Sequence, residues 1–70
     1  MIAVEINGER RDLPEGATVG DAAYAAGIQP GRGVAIALDG EVVPRSEIEL
    51  TILRDGARVE VVSAIGGGAR

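Results

Sequence analysis

Three Asx-Gly dipeptides divide this chain into short pieces that must fold back on one another: Asn7-Gly8, Asp39-Gly40 and Asp55-Gly56. Asn7-Gly8 is the strongest short hairpin signal, because both residues tolerate the positive φ of a type I′ turn; Asp39-Gly40 is a second hairpin signal and Asp55-Gly56 a third turn. The flanking patterns agree. Ile2, Val4 and Ile6 alternate with Ala3 and Glu5, the period of a half-buried strand, and a return strand runs over Glu9–Leu13 until Pro14-Glu15-Gly16 stops it. Val34–Leu38 reads as a buried strand, with Glu41, Val42 and Val43 as its short partner across the second turn. Pro44-Arg45-Ser46-Glu47 breaks that pairing, with Ser46 as a candidate cap for a short turn. Ile48, Leu50 and Ile52 then alternate with Glu49 and Thr51, and a last strand over Arg58–Ser63 puts Val59 and Val61 on one face.

Only one segment reads as helix. Thr18 is placed to cap it and Asp21 follows three residues on, a capping-box spacing with the carboxylate at the positive end of the dipole. Val19, Ala22, Ala23 and Ala26 recur at helical spacing, and Gly27 is placed for a left-handed C-terminal cap. About eight residues of helix do not persist alone in water, so this one must lie on a sheet, and its Ala stripe lets it lie close. The order β-β-α-β-β-β predicts an α+β roll in which the first and last strands pair in parallel at the centre. That is the β-grasp, or ubiquitin-like, fold: a mixed sheet of about five strands on one short helix. We expect residues 1–65 to form this domain and residues 66–70 to form a flexible C-terminal tail.

Composition removes most catalytic chemistries. The 70 residues include no Cys, His, Trp or Phe, the one aromatic is Tyr24, and all seven cations are Arg. The chain therefore lacks a disulfide framework, a zinc-finger ligand set, the usual nucleophile–base pairs and any Schiff-base lysine. A net charge of −4 with a single aromatic argues against nucleic-acid binding. No apolar run approaches ~18 residues and no charged leader precedes an apolar stretch, so the expectation is a cytoplasmic protein that neither enters a membrane nor is exported. A binding or carrier protein, or an enzyme using carboxylates alone, remains.

The run Gly66-Gly67-Gly68, followed by Ala69-Arg70, needs an explanation. Three consecutive glycines cannot pack a core and carry a high ordering entropy. One reading is a frayed chain end. The other is an arm without side chains that threads a narrow channel, where three extended residues reach roughly 10 Å. Its position directly after a final core strand favours the second.

Val42-Val43-Pro44-Arg45-Ser46, the stretch Asp55-Gly56-Ala57-Arg58-Val59-Glu60-Val61-Val62 and the ending Ala64-Ile65-Gly66-Gly67-Gly68 together resemble the ThiS family, the ubiquitin-like sulfur carriers of thiazole formation in thiamine biosynthesis. The resemblance runs through the whole chain. It implies a protein co-substrate, not an enzyme. A ThiF-type adenylating enzyme uses ATP and magnesium to activate the terminal glycine carboxylate. A persulfide-derived sulfur then displaces AMP to leave a thiocarboxylate, and a ThiG-type thiazole synthase takes the sulfur. The carrier itself binds no cofactor and no metal. By this resemblance Gly68 is the modified residue, and Gly66, Gly67 and Gly68 enter the partner's active site; Gly66-Gly67 is the second choice of terminal pair. The family pattern stops at its glycines, so we expect a peptidase to remove Ala69-Arg70, unless the two residues are tolerated.

Other features have plainer readings. Gly31-Arg32-Gly33 lacks the spacing of a phosphate loop and precedes a strand, so it is a turn. Asp39, Glu41, Glu47 and Glu49 form no calcium-type loop and read as a solvated face. Tyr24 falls off the Ala stripe. Arg45 is expected to tie its loop through a carboxylate, with partner docking as the second role. Ile48, Leu53 and Ile65 are expected on the sheet face away from the helix, as a docking patch. Two rival functions stand beside the main one: a β-grasp carrier serving molybdopterin or another sulfur-containing metabolite, and an interaction module whose tail is never activated.

Overall fold

The alternation of Ile2, Val4 and Ile6 becomes strand β1 (Ile2–Ile6), with all three side chains buried, in the computed structural model, which describes residues 1–63. Asn7 and Gly8 take φ of 51° and 86°, and the chain returns antiparallel as β2 (Glu9–Leu13), Ile2 opposite Leu13 and Ile6 opposite Glu9. Four charged residues in a row, Glu9 to Asp12, keep this outer strand exposed to water, which protects a free sheet edge against further pairing. Helix α1 (Val19–Ala25) follows, then β3 (Val34–Leu38), β4 (Glu41–Val42), a 3-10 turn (Arg45–Glu47) and β5 (Arg58–Ser63). The sheet order is β2-β1-β5-β3-β4. β5 lies between β1, to which it is parallel, and β3, to which it is antiparallel. The first and last strands thus meet at the centre, as the β-grasp reading requires.

Helix α1 is short but closed at both ends. The Thr18 hydroxyl accepts a hydrogen bond from the Asp21 amide at 3.2 Å, and the Asp21 carboxylate accepts one from the Thr18 amide at 2.9 Å, completing the capping box. The amides of Val19 and Gly20 donate to the carbonyls of Thr51 and Ile48, at 3.0 and 2.9 Å, so the amides that begin the helix are satisfied by a distant loop. At the other end Gly27 has φ of 81°, Ile28 N–H reaches the Ala23 carbonyl and Gly27 N–H the Tyr24 carbonyl, the paired bonds of a Schellman cap. The Arg11 guanidinium donates to the Ala25 carbonyl at 2.9 Å, placing a strand cation at the negative end of the helix.

Val19, Ala22 and Ala23 are wholly buried against the sheet, while Ala26 is half-buried at the margin of the core. Gly20 is buried as well, because the Glu49 carboxylate lies over it: a Cβ there would sit 2.7 Å from Glu49 Oε1. The largest fully buried side chains are Ile36, Val4, Val19 and Val59. Small branched residues and alanines, with no aromatic among them, allow helix and sheet to approach closely.

Residues 48–53 depart from the alternating pattern. The 3-10 turn is capped by Pro44, with no side-chain bond, so Ser46 does not cap it. Glu47 then receives both the Leu50 and Thr51 amides at its carbonyl, at 3.1 and 2.9 Å, and the chain turns instead of extending. Ile48 and Leu53 point inward, each 4% exposed, whereas Leu50 and Ile52 lie outside at 73% and 56%. A single bridge of Ile52 to Thr18 and a bond from Leu53 N–H to the Ala17 carbonyl fasten this segment beside the start of α1.

Leu53→Ala and Ile48→Ala are each expected to lower unfolding free energy by about 2–5 kcal/mol in urea titrations, as deletions from a packed core do. Gly20→Ala alone displaces the Glu49 side chain. Introduced into a Glu49→Ala background, the same change is expected to stabilise by about 0.5–1 kcal/mol through reduced chain entropy, readable in the same titrations.

Candidate functional site

Gly66, Gly67, Gly68, Ala69, Arg70 and Ile65 lie outside the described residues, as does the domain boundary at 65. What the structure does describe is the end of the body that leads to them. β5 runs alongside β1 with Glu5 opposite Arg58 and Ile6 opposite Val59, and then continues past the point where β1 turns away. On its other edge β3 accompanies it to the end, Val34 opposite Ser63. The described part of the strand therefore ends beside the 30–33 loop, past the 7–8 turn. In that loop Val34 N–H bonds the Gly31 carbonyl at 3.1 Å, so the Gly31-Arg32-Gly33 segment is a turn that starts a strand.

Each Asx-Gly turn does more than reverse the chain. Asp55 Oδ1 accepts the Ala3 amide at 2.8 Å, while Gly56 N–H donates to the Ala3 carbonyl at 2.7 Å. Asp39 Oδ1 accepts the Arg58 amide at 2.9 Å, and Asp39 N–H donates to the Arg58 carbonyl at 2.8 Å. Asn7 Oδ1 accepts the Val61 amide at 2.8 Å, and Asn7 Nδ2 donates to the Val61 carbonyl at 3.2 Å. All three turns thus hold backbone of the central strands, β1 or β5. A turn residue recognisable from its conformational tolerance gives no sign in the sequence of which distant strand its side chain reaches.

The expected docking patch needs correction. Ile48 and Leu53 belong to the core, because the 47–51 turn rotates them inward beneath α1, and they form no surface. The face of the sheet turned away from the core carries other apolar residues. Val62 is 62% exposed opposite Ala35, and Val42 is 75% exposed opposite Ala37. Val62 was accessible to sequence reasoning: if Val59 and Val61 face inward, the next residue must face out. The same face carries Glu5 opposite Arg58, whose side chains approach to 4.0 Å.

Arg45 is exposed on the 3-10 turn, and among the described residues it joins no ion pair, so the expected carboxylate tie for its loop is not formed. Its backbone contributes instead, accepting the Ile48 amide. Tyr24 is 53% exposed. Asp39, Glu41, Glu47 and Glu49 are all exposed, and Asp21 serves the helix cap. Among the described residues no charged or polar side chain is buried, and no three carboxylates converge on a point where a metal ion could sit. Nor is any helix there long and apolar enough to cross a membrane. The described body offers a strand end held by Asn7 and β3 and a mixed apolar and charged sheet face.

This arrangement has a close counterpart among solved structures. The crystal structure of the thiamine biosynthesis protein ThiS from Geobacter metallireducens matches with a TM-score of 0.74 at 28% identity, over 96% of this chain and 100% of that one. No curated protein sequence matches. The model of the ThiS family matches residues 4–68, from within the first strand through the third glycine of the run. By that match and the β-grasp topology that accompanies it, the chain belongs to the ThiS family.

Proposed function

We propose that this chain carries sulfur on the main-chain carboxylate of Gly68, for delivery to thiazole formation. The coarser statement, a small sulfur carrier of thiamine biosynthesis and not a catalyst, follows from membership of the ThiS family. The observation that supports the finer one is continuity. The family match runs without interruption through Gly68, and in sequence the glycines follow β5, the central strand of the sheet.

The chemistry places its demands on the partners. A carboxylate is a poor electrophile until one oxygen leaves as part of a good leaving group. A ThiF-type adenylating enzyme supplies this with ATP and magnesium: the Gly68 carboxylate attacks the α-phosphate, pyrophosphate departs and an acyl-adenylate forms. The outer sulfur of a partner's persulfide then attacks the acyl carbon and AMP leaves, forming an acyl disulfide. A partner thiol attacks the other sulfur of that disulfide, becomes part of a new disulfide and releases the carrier as a thiocarboxylate. A ThiG-type thiazole synthase accepts the sulfur from that end. Gly66, Gly67 and Gly68 lack Cβ atoms, so each partner can close its walls around bare backbone. For Gly68 to be the working terminus, a peptidase hydrolyses the Gly68–Ala69 bond before adenylation.

Docking in this proposal uses the outer face of the sheet, where Val62 stands exposed near the Glu5–Arg58 pair and Val42 stands exposed on the edge strand β4, with Arg45 and Ile65 as proposed contributors. Apolar residues ringed by charge suit a transient interface, in which contact area must be gained and released in every cycle.

Incubation of a chain ending at Gly68 with ATP, magnesium, a sulfur donor and the adenylating enzyme is expected to add about 16 Da, oxygen being exchanged for sulfur, in intact-mass spectra. Gly68→Ala or deletion of the glycines is expected to abolish that gain while leaving partner binding largely intact. A full-length species that is itself adenylated overturns the trimming step, and a chain ending at Gly68 that binds the adenylating enzyme but never gains mass is an interaction module. Val62→Arg is expected to raise the Kd for the adenylating enzyme about tenfold with the urea midpoint unchanged, as loss of a contact-centre residue does.

A further inference from the structure

The Asn-Gly turn needs its first residue to tolerate positive φ, and Gly or Asp would serve as well as Asn. The carboxamide of Asn7 is therefore surplus to the turn, yet both of its polar atoms are engaged with one residue 54 positions away. Its Oδ1 accepts from Val61 N–H at 2.8 Å and its Nδ2 donates to the Val61 carbonyl at 3.2 Å. The geometry of β1 explains why. The last main-chain bond from β1 to β5 runs from Asn7 N–H to the Val59 carbonyl at 2.9 Å; the backbone then swings into the turn and on into β2. Val61 faces that same edge one pleat further on, where β1 has no residue left to offer. The side-chain amide of Asn7 has the donor and acceptor of a peptide group and supplies both, so β5 remains held on two edges through Val61.

We propose that Asn7 is a positioning residue for the C-terminal arm: its carboxamide fixes Val61 as the rigid origin from which the glycine tail is presented to the activating partner. Gly68 lies seven positions beyond Val61, a reach of at most about 25 Å. Without the clamp, the two-edged part of the strand ends at Val59 and only β3 directs the last residues. The arm then samples more orientations, the carboxylate is less concentrated at the partner's site, and more order must be imposed on binding. This inference rests on the carrier reading of Gly68.

Two variants isolate the clamp. Asn7→Gly keeps the turn and removes both side-chain bonds, whereas Asn7→Asp keeps the acceptor for Val61 N–H and loses the donor. Amide exchange by NMR reads the clamp. In Asn7→Gly the Val61 amide is expected to exchange about tenfold faster, as loss of its hydrogen-bond partner dictates, with Val59 unchanged. Steady-state thiocarboxylate formation by the adenylating enzyme, on chains ending at Gly68 and at a temperature where circular dichroism shows each variant fully folded, reads the consequence. The KM for the carrier is expected to rise about fivefold in Asn7→Gly with kcat within twofold of wild type, the pattern of lost ground-state positioning, and Asn7→Asp is expected to fall between. Wild-type KM in a folded Asn7→Gly, or a loss confined to kcat, overturns the inference. If Asn7→Gly does not fold, Asn7→Asp decides alone, and a wild-type KM there also overturns it. A wild-type chain that fails to gain sulfur overturns the carrier reading and this inference with it, whereas normal conversion of both variants overturns this inference only.

Discussion

The parallel contact between β1 and β5 is the interaction on which the rest of this structure depends. It joins the two ends of the chain and brings the β1–β2 hairpin against the β3–β4–β5 half of the sheet. Yet it is brief, with two registered pairs, Glu5 opposite Arg58 and Ile6 opposite Val59. A parallel ladder this short between strands so far apart in sequence carries a large closure entropy for few main-chain bonds. Side chains lengthen it. Asp55 secures Ala3 at the beginning of β1 and Asn7 secures Val61 beyond its end, while on the other edge of β5 Asp39 extends the β3 ladder to Arg58. Each comes from an Asx-Gly turn, and at Asn7 and Asp39 the residue that accepts a positive φ also supplies hydrogen bonds that the strands cannot.

The helix is held in the same economical way. Seven residues of helix are marginal alone, and this one relies on a capping box, a Schellman cap, an arginine from β2 and two carbonyls from the 48–51 segment. In return, that segment loses its freedom to act as a surface. Ile48 and Leu53 are drawn under the helix because the carbonyls of Ile48 and Thr51 must face the amides of Gly20 and Val19. The constraint that completes the helix start thus removes two residues from any docking face and leaves Val62 and Val42 there.

For a carrier, such construction is apt. The reacting group in the proposed function is a main-chain carboxylate, and the body needs no reactive side chain; what it must supply is a firm base for an arm and a face for partners to recognise. The strand that leads to the glycines is the most interior of the five and is clasped on both edges up to Val61.

Much of this was legible in the residues themselves. The three Asx-Gly turns, the Thr18–Asp21 capping box, the Gly27 cap, the alternation of Ile2, Val4 and Ile6 and the five-stranded α+β order are local features, decided by allowed φ and by side-chain spacing over a few positions. They could be read because their causes lie within one turn or one strand of the residues that show them. The rest depends on partners distant in the chain. Nothing within ten residues of Ile48 announces that the helix amides will claim its carbonyl, so its alternation with Leu50 and Ile52 reads as a strand when the segment in fact turns. Nothing near Asn7 announces Val61. Short-range sterics determined which elements this chain forms; packing and long-range hydrogen bonding decided which faces they bury, because each unsatisfied backbone group had to find its partner wherever the closed sheet placed one.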